Sequence, residues 1–192
     1  MTAITINLKN IVKLNDDQFY QLCQDNPEVK FERNGNGELI VMPPTGGETG
    51  KRNAKLTARF VFWNEQTQLG EVFDSSTCFK LPNGSSRSPD VSWIKLTRWN
   101  ALTPEQREKF PPIAPDFVLE LMSPSDSLSD TITKMQEYMD AGVKLGWLME
   151  RMTRRVEIYR QGQPKEVLES PTTLSGEEVL PGFVLDLQIV WG

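Results

Sequence analysis

The strongest hydrophobic pattern in the chain lies just past its middle, where a short apolar run precedes a longer segment with helical spacing. Residues 115–122 read PDFVLELM, and an apolar run of this length predicts a buried strand. The next segment carries apolar side chains at spacings of four, three and four residues, which places them on one face of a helix. These side chains are Leu128, Ile132, Met135 and Met139.

The rest of the pattern places further strands and helices on both sides of this pair. The strand–helix–strand segment over 115–149 is long enough for a right-handed parallel crossover. Residues 1–12 form an extended lead-in, and the tail up to residue 187 is β-like. We therefore expect a mixed α/β fold in which helices cover a central sheet. The other predicted elements are helices at about 16–25, 48–67 and from Pro104, a hairpin over 31–42, and strands at 72–73, 78–81, 89–94, 143–149 and 155–160.

The composition is that of one folded domain. A chain of 192 residues with 38% hydrophobic and 24% charged residues can bury a sizeable core, so we expect a single domain over residues 1–192. No apolar run approaches the roughly 18–20 residues that cross a bilayer, and the N-terminus lacks the pattern of a secretion signal. We therefore expect a cytoplasmic protein with no membrane partner.

The net charge and the residue types present limit the kinds of catalytic site that this chain can form. The chain has no histidine, which excludes a Ser-His-Asp triad, a Cys-His pair and His-ligated zinc. Its two cysteines, Cys23 and Cys78, cannot form a zinc site alone. The net charge of −5 argues against broad wrapping by nucleic acid but leaves room for a local basic groove. Catalysis would therefore depend on carboxylates, lysine, arginine, tyrosine or hydroxyl groups.

Two acids stand out against this background. Glu120 lies inside the apolar run, and a carboxylate there must be paired, hydrogen-bonded or bound to a metal. Asp90 opens another strand-like run after Pro89. Acids on neighbouring strands can hold Mg²⁺, and a lysine such as Lys134 could then stabilise charge on a phosphate. The alternatives are an ion pair between Glu120 and an arginine, a turn role for Asp90 and a surface position for Lys134. A further acid, Asp116, shares the strand face of Glu120 and is an alternative second metal ligand, but its place at the edge of the strand favours a capping role.

A longer series of segments resembles a known family. It begins with SPDV at 88–91, PDFVLE at 115–120 and SPSD at 123–126, and it continues with Lys134, Tyr138, GWL at 146–148 and VEIYR at 156–160. These residues resemble the Uma2 family (DUF820) within the PD-(D/E)xK nuclease superfamily, over roughly residues 15–190. The resemblance implies a restriction-endonuclease-like core with extra terminal strands. It also implies a phosphodiesterase site that uses Mg²⁺, with Mn²⁺ as a substitute.

The lysine of this superfamily motif is missing from its usual place. It belongs two residues after the acid, where this chain has Met122. Side chains two apart on a strand share a face, so Met122 takes the space of that lysine. The resemblance implies that the role passes to Lys134 on the following helix, with Lys144 as the fallback. It further implies that Glu48 on the helix over 48–67 completes the metal site and that Arg52 or Lys55 contacts phosphate.

Two functions of different class follow. The first is a Mg²⁺-dependent endonuclease that cleaves DNA with Asp90, Glu120 and Lys134. We expect a homodimer in that case, because homodimers are the commonest assemblies and a duplex has two strands to cut. The second is a catalytically degenerate member of the fold that binds a partner or regulates. Met122 and a sequence pI of about 4.9 favour this alternative.

Overall fold

The structure, a computed structural model, describes residues 3–8 and 10–192. The expectation for residues 1–12 falls partly on Met1, Thr2 and Lys9, which lie outside the described residues. The elements in chain order are β1 (Ile4–Ile6), α1 (Asp16–Asp25), β2 (Lys30–Arg33), β3 (Leu39–Met42), α2 (Gly47–Thr67), β4 (Gly70–Asp74), β5 (Phe79–Lys80), β6 (Ser86–Arg87), β7 (Val91–Lys95), α3 (Leu96–Asn100), α4 (Pro104–Glu108), β8 (Phe117–Met122), α5 (Leu128–Asp140), β9 (Leu145–Glu150), β10 (Arg155–Arg160), β11 (Glu166–Glu169), β12 (Thr173–Ser175), β13 (Val184–Asp186) and α6 (Gln188–Trp191).

The main sheet has six strands in the order β11-β10-β9-β8-β7-β4. Strands β8 and β9 are parallel, and α5 connects them, which confirms the predicted crossover. Their other neighbours pair antiparallel, so the sheet is mixed. All six residues of β8 are buried, as the apolar run predicts for a central strand.

Alternate side chains of β8 enter two different cores. Phe117, Leu119 and Leu121 pack in one cluster with residues of α2, including Leu56 and Phe60. On the other face, Val118 and Met122 pack with residues of α5, including Met135 and Tyr138. Because strand side chains alternate with a period of two, Glu120 and Met122 point toward the α5 side of the sheet.

A second sheet covers the α5 side of the molecule. Its strands lie in the order β1-β3-β2-β6-β5. The predicted hairpin is confirmed as β2 and β3, and β2 pairs with β6 through Arg33 and Ser86. This pairing places Glu32 of β2 next to the segment that leads into β7, as the hydrogen bond from the Ser88 N–H to Glu32 Oε1 shows (3.1 Å).

The boundaries of the long helices agree with their capping residues. Asn15 caps α1 in a capping box with Gln18, and Ser127 accepts from the Asp130 N–H at the start of α5. Gly142, just past α5, has φ +97, the left-handed conformation that glycine supplies after a helix. The short helices α3 and α6 were not predicted, because four or five residues are too few to display a helical period. No helix in the described part of the chain combines the length and apolar character that a membrane span requires.

Candidate metal and hydrolytic site

The strand pairing brings Asp90 and Glu120 to one end of the sheet. Val91 of β7 lies opposite Leu119 of β8 in an antiparallel pair, so extending this register by one residue sets Asp90 opposite Glu120. Side chains directly opposite each other in such a pair have Cβ atoms about 4.5–5.5 Å apart. Asp90 is held there because its Oδ2 accepts a hydrogen bond from the Leu121 N–H (2.8 Å). The structure thus brings together the two acids that the sequence singled out.

Two side chains of α5 bind the Glu120 carboxylate. Lys134 Nζ lies 2.8 Å from Glu120 Oε1, and the Tyr138 hydroxyl donates to the same oxygen (2.9 Å). Lys134 and Tyr138 are four residues apart and therefore share one helix face. Neither contact uses Glu120 Oε2. The Lys134 side chain is only 13% exposed, so it does not face water as the surface alternative required.

A third acid, Glu32, joins this cluster from the second sheet. Its Oε1 lies 3.0 Å from Lys134 Nζ, and its Oε2 accepts from Arg87 Nη1 (3.0 Å). Arg87 also contacts Glu137 of α5 through Nε. Sequence reasoning missed Glu32 and Arg87, because charged residues in a short alternating strand look solvent-exposed. Tyr138 was noted only as part of the family resemblance.

The pKa values of the three acids differ because their surroundings differ. Burial raises the pKa of Glu120 to about 7, aided by the nearby charges of Asp90 and Glu32 and opposed by Lys134. Burial also raises the pKa of Asp90, against its hydrogen bond from Leu121. Burial would raise the pKa of Glu32 as well, but Lys134 and Arg87 outweigh it and hold the value at about 2. Strongly shifted acids in a cleft are typical of functional sites.

The charges of the cluster do not balance. When Asp90 and Glu120 are ionised, four carboxylates, those of Glu32, Asp90, Glu120 and Glu137, face two cations, Lys134 and Arg87. The exposed side chain of Lys30 acts on Glu32 and Asp90 from farther away. The excess negative charge is the electrostatic condition for binding a divalent cation.

The cluster lies in a cleft of about 750 Å³ between the two sheets and the start of α5. The loop after β8, residues 123–127, forms part of its wall. Among the described residues that line it, six acids outnumber three cations. The acids are Glu32, Glu38, Asp90, Glu120, Asp126 and Asp130, and the cations are Lys30, Arg87 and Lys134.

Asn53 of α2 also lines the cleft and contacts Asp90. Its Nδ2 donates to Asp90 Oδ1 (2.8 Å). Its Oδ1 is buried and has no hydrogen-bond partner among the described residues. A buried acceptor without a donor costs about 1–3 kcal/mol. This atom therefore calls for a partner that the described residues do not supply.

The residues expected on α2 lie elsewhere. The Glu48 carboxylate is exposed and bonded to Lys51 and Arg52 (2.8 and 2.6 Å), and these two hydrogen bonds lower its pKa to about 2. Arg52 is buried and donates from Nε to the Val190 carbonyl (2.9 Å). Lys55 is exposed. None of the three lines the cleft, so their expected roles remain predictions that this geometry does not support.

Asp116 and Lys144 form a separate ion pair at the other end of β8. Lys144 Nζ lies 2.8 Å from Asp116 Oδ1, and Arg98 Nη1 lies 2.9 Å from Oδ2. The Asp116 carboxylate also accepts from the Lys95 N–H (2.9 Å). These contacts give Asp116 a role in ion pairing rather than in capping a helix, and they leave Lys134 as the lysine beside Glu120.

The fit of this site to Mg²⁺ follows from its donors. In the described part of the chain, no group of three His, Cys, Asp or Glu side chains has metal-binding geometry. Mg²⁺ is commonly held by one or two carboxylates and keeps several waters, which is what Asp90 and Glu120 can provide. Hard oxygen donors without nitrogen or sulfur ligands suit Mg²⁺ or Mn²⁺. The residues therefore fit the ion, with water filling the remaining positions.

Replacing Arg87 by Met should destabilise the fold by about 3 kcal/mol, because Glu32 and Glu137 would lose their buried counter-charge. Denaturant unfolding measures this change in the free energy of unfolding. Lys109→Met, which removes only the exposed pair with Glu105, is the control and should leave stability unchanged. Equal stability of the Arg87 variant and the wild type would show that the cluster does not tie α5 to the second sheet.

Comparisons with known proteins agree with this architecture. A family model with the description "Uma2: Putative restriction endonuclease" matches residues 16–188. The chain is also similar to a crystal structure described as a putative nuclease belonging to DUF820 from Anabaena variabilis ATCC 29413. The TM-score is 0.76 and the identity 20%, over 93% of this chain and 97% of that one. At this identity the likeness shows the fold alone. Comparison with curated proteins gives no match.

Proposed function

The chain belongs to the Uma2 family, and from that premise we propose that it is a Mg²⁺-dependent endonuclease that hydrolyses DNA phosphodiester bonds. One observation carries the proposal. The register of β7 and β8 sets Asp90 opposite Glu120, and the Lys134 ammonium lies 2.8 Å from Glu120 in the same cleft. This combination supplies metal ligands and a cation without any histidine.

The two carboxylates have the role of holding the metal. Asp90 is fixed by the Leu121 N–H and by Asn53, and Glu120 by Tyr138 and Lys134. A bound Mg²⁺ lowers the pKa of a coordinated water and offsets charge on a phosphate. Mn²⁺ is expected to substitute, because it accepts the same oxygen donors.

Lys134 acts as the cation of the reaction. Burial opposes its charge, but Glu120 and Glu32 outweigh that effect and raise its pKa, so the ammonium stays protonated at neutral pH. A protonated lysine donates hydrogen bonds and cannot take a proton from water. Its role is therefore to orient the attacking water or to stabilise negative charge on the phosphate, and Glu32 holds it in place.

The proposed substrate is DNA and the proposed assembly is a homodimer. The acidic lining of the cleft repels phosphate in the absence of metal, so binding of DNA at the reacting position should require the divalent cation. A two-fold dimer would present one site to each strand of a duplex. Exposed cations such as Lys30 and Lys55 would contact phosphates farther along the duplex.

The experiment is cleavage of supercoiled plasmid with Mg²⁺, with Mn²⁺ and with a chelator. We expect nicked and linear products with either metal and none with the chelator, because the cleft lacks the charge to bind phosphate alone. Calcium serves as the control, since it occupies oxygen sites with a more flexible geometry and should bind without supporting cleavage. Cleavage that continues in the chelator would contradict the proposal.

A second candidate is a binding domain without catalysis. Two observations favour it: Met122 fills the position of the superfamily lysine and is buried, and the cleft lining is acidic. Such a cleft would suit a basic partner. Calorimetric titration with Mn²⁺ separates the two candidates, because a degenerate site would release no heat and gain no thermal stability at millimolar metal.

A further inference from the structure

One side chain of the cleft, that of Asn53, uses only part of its hydrogen-bonding capacity. The Asn53 carboxamide oxygen is buried and has no hydrogen-bond partner in the part of the chain that the structure describes, although the amide nitrogen of the same side chain donates to Asp90. Asparagine offers one acceptor and two donor hydrogens, and here only the donor side is used. The orientation is fixed by Asp90, because a flipped amide would set its oxygen against the carboxylate oxygen.

The chemistry of the missing partner follows from the surroundings. An unpaired acceptor needs a donor hydrogen or a cation. A phosphate oxygen cannot serve, because it is itself an acceptor. A divalent cation between Asp90 and Glu120 would meet this need, since Mg²⁺ and Ca²⁺ accept amide oxygens as ligands.

The position of Asn53 in the fold supports the same partner. It lies on α2 and is the residue of this helix that hydrogen-bonds Asp90. By contrast, Glu48, the acid expected on this helix, is turned to solvent and bound to Lys51 and Arg52. Asn64, farther along α2, uses both ends of its amide, with Gly70 and Trp93 as partners. Of these two asparagines of α2, it is therefore Asn53 whose acceptor stays open toward its buried surroundings.

We propose that the Asn53 carboxamide oxygen is a third ligand of the divalent cation held by Asp90 and Glu120. The inference rests on the proposed function, because it assumes the metal at that position. It assigns to α2 a neutral oxygen donor in place of a third carboxylate. The cation would then be held from β7, β8 and α2 together.

The test compares Mn²⁺ affinity by calorimetry in the wild type and two variants. Asn53→Asp places a charged oxygen at the same position and should tighten Mn²⁺ binding about tenfold, because affinity rises with the charge of the ligands. Asn53→Leu keeps a similar volume without a donor oxygen and should weaken binding by about tenfold or more. The expected order of affinity is therefore Asp above Asn above Leu.

The order distinguishes a ligand from a side chain that only positions Asp90. The hydrogen bond to Asp90 uses the amide N–H, which aspartate lacks, so a positioning role predicts that Asn53→Asp binds metal more weakly than the wild type. That result would overturn the proposal. Gln66→Asp adds the same charge on an exposed part of α2 and should leave the affinity at the wild-type value.

Stability supplies a second readout that does not depend on activity. Without metal, Asn53→Asp sets a carboxylate beside Asp90 and should lower the midpoint of thermal unfolding. Added Mn²⁺ should then raise this midpoint by more than it does in the wild type. An equal gain in both proteins would contradict the inference.

Failure of the inference and failure of the proposed function give different results. If the wild type binds Mn²⁺, Glu120→Gln removes binding, and the two Asn53 variants match the wild type, the inference alone is wrong. If the wild type releases no heat with Mn²⁺, the inference and the proposed function are both wrong. Should Asn53→Asp fail to fold without metal, Asn53→Leu still tests the loss of affinity.

Discussion

Glu120→Gln should abolish both Mn²⁺ binding and DNA cleavage while the protein stays folded. The amide keeps the shape of the side chain and can still accept from the Tyr138 hydroxyl, which lies 2.9 Å away. Lys134 keeps Glu32 as its partner (3.0 Å). What disappears is the negative charge that, with Asp90, attracts the cation. Calorimetry with Mn²⁺ and plasmid cleavage measure the two losses, and Glu169→Gln on the exposed strand β11 should change neither.

Glu120→Gln should also change how the free energy of unfolding depends on pH. Glu120 has a folded pKa of about 7, above its ordinary value of 4.5. A carboxyl group with a raised folded pKa stabilises the fold below its unfolded pKa and loses that contribution as pH rises toward its folded pKa. Without metal, the wild type should therefore lose stability between about pH 4.5 and 7 relative to Glu120→Gln.

The cleavage result for Glu120→Gln can contradict the proposed mechanism. If the variant still cleaves DNA and its cleavage depends on metal as in the wild type, Glu120 does not hold the metal.

Lys134→Met should reduce cleavage by a factor on the order of 10²–10³, the effect of removing one group that stabilises developing charge. The same change should leave Mn²⁺ affinity equal to the wild type or higher. The reason is that the Lys134 ammonium neutralises Glu120 and Glu32 (2.8 and 3.0 Å), so its loss makes the site more negative. Single-turnover cleavage and calorimetry together separate the loss of chemistry from any loss of metal.

Lys144→Met is the matched control for this prediction. Lys144 pairs with Asp116, at the opposite end of β8 from Glu120. Its removal should affect stability more than cleavage. A larger loss of cleavage in Lys144→Met than in Lys134→Met would contradict the assignment of Lys134.

The central elements could be predicted from the sequence because local and tertiary signals agreed there. The apolar run of β8 is buried on both faces, and the Leu128-Ile132-Met135-Met139 stripe packs with the cluster on that side. Asp90 and Glu120 were identifiable because an acid within or beside an apolar strand needs a partner. The antiparallel register of β7 and β8 then sets these two acids opposite each other.

The rest of the cluster depends on long-range packing that the sequence does not display. Lys134 is not part of the apolar stripe of α5, which left a surface position open for it. The second sheet nevertheless covers that side of the helix, so Lys134 and Tyr138 are largely removed from solvent. Glu32 is buried only because β2 pairs with β6 and thereby meets Arg87. Arg52 is buried because α6 returns Val190 to the start of α2. None of these contacts leaves a periodic trace in the chain.

The most direct test of the account is anomalous diffraction from crystals grown with Mn²⁺. We predict one strong peak at coordinating distance from the carboxylates of both Asp90 and Glu120, with Lys134 beside it. A peak at another place in the molecule, or none at saturating Mn²⁺, would contradict the assignment of this cleft as a metal-dependent hydrolytic site.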